Sequence, residues 1–174
     1  MVRSKGDGMI NYTEKGHGLH EAIASAGYVL REENGTWTSS NDAAVQAIID
    51  GYTLDDAKAH KSAQVSAHAK MLRDKVIRTI SAGEMASWPI KLSEATKYAQ
   101  TGQDADAPML AAEAAARGIT LAELVAKVGE NATTFAGLEA AIAGTDGAHR
   151  DAIKACATFE AVAAYDFSTG WPGV

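Results

Sequence analysis

The side chains able to do chemistry in this chain are few and loosely grouped. His17, His20 and Glu21 read as His-x-x-His-Glu, a close set of potential metal ligands. The order differs from the His-Glu-x-x-His of zinc peptidases, where two histidines four apart share one helix face. His17 also stands between Gly16 and Gly18, ahead of the helix that follows, so spacing does not fix its direction. These histidines are therefore read as solvated or packed side chains, not as a metal centre. His60 and His68 lie in a polar run and read as surface residues. His149 has no nucleophile and carboxylate at a recognisable spacing.

Nucleophile signatures are missing as well. The sequence contains no Gly-x-Ser-x-Gly elbow, no Ser-x-x-Lys signature with its companions and no phosphate-binding Gly-x-x-x-x-Gly-Lys. The single cysteine, Cys156, cannot form an intrachain disulfide, and on an alanine-rich helix it reads as a small core residue. Asn11, Asn34 and Asn131 each begin Asn-x-Thr, which without secretion is an accidental match. The carboxylate pairs Glu32-Glu33 and Asp55-Asp56 suit a turn and a helix start, the latter favoured by the helix dipole. The expectation is a protein that is not an enzyme and uses no cofactor and no metal.

Composition narrows the partners. A net charge of −6 disfavours binding to phosphate backbones, so no nucleic-acid partner is expected. No stretch reaches the roughly 18 consecutive apolar residues of a membrane span. The N-terminal residues lack the apolar core of a signal peptide, which implies synthesis in a cytoplasm. Hydrophobic residues make up 47% but aromatics only 6%, because alanine carries much of the apolar share. Alanine favours helix yet buries little area per residue. A thin core of this kind gains by burying further surface against a partner, and self-association is one route.

The expected fold class is mainly α, with a small N-terminal α+β module, a long connector helix and a C-terminal helical bundle. Residues 1–8 are polar and Gly-rich and read as disordered; Met1 and Met9 both stand as possible starts. Residues 9–52 read as the α+β module. Ile10 and Tyr12 are spaced as in a short strand, and Leu19, Ile23 and Ala26 lie on one helix face. Asn34-Gly35 between Tyr28-Val29-Leu30 and Thr36-Trp37-Thr38 predicts a hairpin. Ser39 and Asp42 predict the start of a helix burying Val45, Ile48 and Ile49.

Thr53 and Asp56 form a capping box opening the connector, residues 53–82, since neither Gly nor Pro interrupts Leu54 to Ala82. Its first half is alanine and charge, and its second carries Val65, Ala69, Leu72, Val76 and Ile80 as a stripe. Residues 83–174 read as the bundle. There, Pro89 and Pro108 predict helix starts, with Trp88 stapling the first of them. Thr120 and Glu123 form a second capping box with Ile119 and Leu124 as its hydrophobic staple. Leu121, Leu124, Val128, Asn131, Phe135, Leu138 and Ile142 alternate at steps of three and four, as on a coiled-coil or bundle face, the bundle being preferred. Gly144 and Gly147 predict a break before a last helix over about 148–166.

Several segments resemble small proteins encoded among the tail-fibre genes of tailed bacteriophages. They are Ile10-Asn11-Tyr12-Thr13-Glu14-Lys15-Gly16 with Leu19-His20-Glu21-Ala22-Ile23, and Asn34-Gly35-Thr36-Trp37 with the Asp42–Asp50 run. Trp88, Lys91, Glu113–Gly118 and Gly170-Trp171-Pro172 are similar to a helical domain common in such proteins. The resemblance implies a structural tail protein of the virion, in the tail-fibre or baseplate region, whose partners are other tail proteins and which carries no catalytic residues. A tail-fibre assembly chaperone is the alternative, and a small phage-encoded hydrolase or host-directed inhibitor is a third. Two candidate contact sites follow: an alanine face at Ala57, Ala63 and Ala67, and Trp171, which either folds back on the bundle or is offered to a partner.

Overall fold

The computed structural model describes residues 10–173, so the expectation for residues 1–8 lies outside the described residues. The described chain is mainly α, with seven α-helices and one two-stranded antiparallel sheet. In order these are α1 (His17–Ser25), β1 (Arg31–Glu33), β2 (Thr36–Thr38), α2 (Asp42–Gly51), α3 (Leu54–Ile77), α4 (Ala82–Thr101), α5 (Pro108–Arg117), α6 (Leu121–Ala155) and α7 (Phe159–Ala164). A short 3₁₀ turn, Asp104–Asp106, precedes α5.

The chain divides into two compact units. One holds the residues up to His68 together with Thr145–Gly170; the other holds Ala69–Gly144 and the residues from Trp171 onward. The expected borders at 53 and 83 differ from these. The reason is α6: it does not break at Gly144 and Gly147 but continues to Ala155. Its C-terminal part and α7 thereby belong with the N-terminal module and not with a single C-terminal bundle. α3 likewise contributes core to each unit, with buried Val65 in the first and Ala69 and Leu72 in the second.

In the first unit, Ile10, Leu19, Ile23, Val45 and Ile49 form the buried core, with Tyr12, Tyr28, Leu30, Trp37, Ile48 and Tyr52 packed around it. The hairpin turns where Asn34-Gly35 predicts it, but its first strand is Arg31–Glu33 and not the expected Tyr28–Leu30. Asn34 and Gly35 take positive φ, 53° and 78°, as a two-residue turn between twisted strands requires. Ile10 bridges to Trp37, tying the segment before α1 to β2. α2 begins later than the Ser39 start: Asn41 caps it, its side chain accepting from Ala44 N at 3.1 Å, while Asp42 Oδ1 accepts from Ser39 N at 2.6 Å. Lys15 closes the other end of α2, donating to the carbonyls of Ile49 and Tyr52 at 2.6 and 2.7 Å. A cation there complements the helix dipole.

In the second unit the core has two parts. Ala95, Ala107, Leu110, Ala114 and Leu124 pack α4, α5 and the start of α6. Ala69, Leu72 and Ile142 pack α3 against the middle of α6, with Leu138 and Trp171 covering them. α4 starts at Ser81, whose hydroxyl accepts from Glu84 N at 3.1 Å, and Pro89 lies inside the helix, not at its start. Trp88 is accordingly a mid-helix residue. α3 ends at Ile77, short of the expected Ala82.

Candidate functional site

Three places in the structure gather chemically active or exposed apolar side chains. The first surrounds the start of α1. Glu21 lies between two imidazoles, 3.1 Å from His17 Nε2 and 3.5 Å from His60 Nδ1. His60 is therefore not a surface residue: its side chain is 23% exposed and its Nε2 lies 3.0 Å from Gln64. Lys61, Tyr52, Gly16 and Gly18 complete a cavity of about 250 Å³. The Tyr52 hydroxyl is buried without a hydrogen-bond partner, and burial, then Asp56 and Glu21, push its pKa up. His20 is directed elsewhere, its Nε2 2.8 Å from Tyr12 Oη. Among the described residues no group of three ligating side chains has the geometry to hold a metal ion.

Tyr12 itself stacks on Trp37 at 4.2 Å and donates to Glu14 at 3.0 Å. Burial and the Glu14 carboxylate push its pKa up to about 12, so the phenol stays protonated at neutral pH and is a poor base there. The second place is around His149, on α6, whose Nδ1 lies 2.8 Å from Tyr165 Oη and whose Nε2 lies 3.0 Å from Thr169 O. A carbonyl only accepts, so Nε2 carries a proton and His149 donates it to Thr169. This ring fastens the segment after α7. The half-buried Cys156 thiol donates to Ala152 O at 3.5 Å and has no histidine or carboxylate among its described hydrogen-bond partners.

The third place is an apolar groove in the second unit, about 350 Å³ in volume. α3 lines it with Val76 and Ile77, α4 with Met85 and Trp88, and α6 with Phe135, Leu138 and Ile142. Met85 and Trp88 are one turn apart on α4, and Phe135, Leu138 and Ile142 follow the three-and-four steps of one α6 face. The ring edge of Trp88 meets Phe135 at 5.5 Å and 70°, yet Phe135 remains 39% exposed. Arg73 and Glu139 close one lip, the guanidinium reaching the carboxylate through Nε and Nη2 at 2.6–3.0 Å. That fork holds the Glu139 carboxyl below its ordinary pKa.

No family model, curated protein or solved structure matches this chain. Function must then be read from the sites themselves.

The candidate contact residues of the sequence separate in space. Ala57 is 6% exposed and belongs to the inward face of α3, whereas Ala63 and Ala67 are exposed. They do not form one face, because six residues turn a helix by well over half a circle beyond one full turn. Trp171 folds back, half-buried, over Ala69, Leu72 and Ile142. Along the α6 seam Leu124 and Ile142 are buried, Leu121, Val128 and Leu138 are half-buried, and Asn131 and Phe135 are exposed. The groove escaped the sequence reading in its α4 wall. Taking Pro89 as a helix start hid the one-turn spacing of Met85 and Trp88, which was the available signal.

Proposed function

We propose that the chain is a non-enzymatic binding component of a bacteriophage tail, in the tail-fibre or baseplate region, and that it receives a helical segment of a neighbouring tail protein in the groove between α3, α4 and α6. The observation that carries the binding reading is Phe135, a large aromatic side chain left 39% exposed at the mouth of a cavity walled by three helices. Partly exposed aromatic side chains over an apolar cleft are characteristic anchors, since they bury much area with few rotatable bonds. A helix is the occupant proposed because it inserts side chains at i, i+3 and i+4 into a groove bounded by helices. Leu92, 43% exposed and one turn beyond Trp88, extends apolar surface along the same face of α4. The tail assignment rests on the sequence resemblance at residues 10–16, 19–23, 34–37 and 42–50, at Trp88 and Lys91, and at residues 113–118 and 170–172.

Mass spectrometry of purified virions tests the assignment. The expected result is the protein present in tails at a defined copy number. Its absence from virions that nonetheless need it for infectivity identifies a departing assembly chaperone instead. Absence from virions with no effect on infectivity overturns the tail reading.

A further inference from the structure

We draw no further inference here: the strongest candidate, the cavity beneath the N-terminus of α1 lined by His17, His60, Lys61 and Gln64, carries nothing because the chain's own Glu14 and Glu21 already face its donors and no second observation points to a ligand.

Discussion

Gly18 is the residue on which the first unit closes most tightly. A Cβ at this position would lie 2.3 Å from Tyr52 Oη and 2.8 Å from His60 Cγ, both far inside van der Waals contact. Gly18→Ala is therefore expected to destabilise by about 1–3 kcal/mol, the cost of overpacking a filled site. The hydroxyl it would strike has no partner, so Tyr52→Phe removes a desolvated polar atom without breaking a hydrogen bond. Tyr52→Phe alone should be neutral or stabilising, and in that background the Gly18→Ala penalty should shrink. Urea melts of the two single variants and the double variant measure the coupling directly. Equal penalties in both backgrounds would show that His60, not Tyr52, sets the limit.

Helix boundaries show which signals are local enough to be read from residues alone. Both Thr capping boxes form as their spacing predicts: Thr53 with Asp56, and Thr120 with Glu123, where Thr120 N donates to Oε2 at 2.8 Å and Glu123 N to Thr120 Oγ1 at 3.2 Å. Donor and acceptor are three residues apart, so no distant element need be known. Thr120→Ala should cost about 1 kcal/mol in denaturant melts, and a neutral result would leave the cap without energetic weight. α5 starts at Pro108 as predicted, but its cap was not readable in this way, because it comes from another helix. Glu94 accepts from Met109 N and Leu110 N at 3.3 and 2.9 Å. Gly144 and Gly147 each disfavour helix by about 1 kcal/mol, but buried Ile142 and Ile153 on either side hold α6 together. Pro89 lies inside α4, next to Trp88, which packs on Phe135. Glu113 joins α4 to α5 through Lys91 at 2.8 Å, with side chains 18% and 28% exposed, and it also meets Arg117. The Lys91 hydrogen bond, then Arg117, holds its carboxyl below the ordinary glutamate value. With the folded value depressed, the pair's contribution is complete above the unfolded range and is lost as pH falls through the folded value. Glu113→Gln should thus destabilise by about 1–2 kcal/mol at neutral pH, with a difference from wild type that narrows in acid. A pH-independent difference would mean that packing, not charge, is lost.

At the scale of the molecule, burial was only partly foreseeable. The module's core and the turn of its hairpin follow from period and turn chemistry, whereas continuity of α6 through its glycines depends on contacts far along the chain. The groove lies between these cases: its α6 wall was visible as a seam, but its α4 wall required knowing that Pro89 sits mid-helix. Its dynamics follow from what covers α6. From Thr133 to Gly137 every residue is exposed, and the stretch ends on a glycine and follows Gly129 by one turn, so little tertiary packing supports its backbone hydrogen bonds. Amides of 133–137 should therefore exchange fastest within α6 in the free protein, a local opening of the kind expected where buried contacts are few. An occupant over Phe135 would bury that stretch and slow its exchange. Phe135→Asp should weaken binding at least tenfold by placing a carboxylate in the groove; for the fold it removes the ring pair with Trp88, worth about 0.5–1.5 kcal/mol beyond the apolar area the ring buries. The measurement is calorimetric titration of wild type and variant with each purified tail protein, followed by hydrogen exchange of the complex. Tight binding by wild type, with slowed amides at 133–137 and loss of both in the variant, is the expected outcome. Equal binding by the two proteins, or a complex whose 133–137 amides exchange as in the free chain, would place the contact elsewhere.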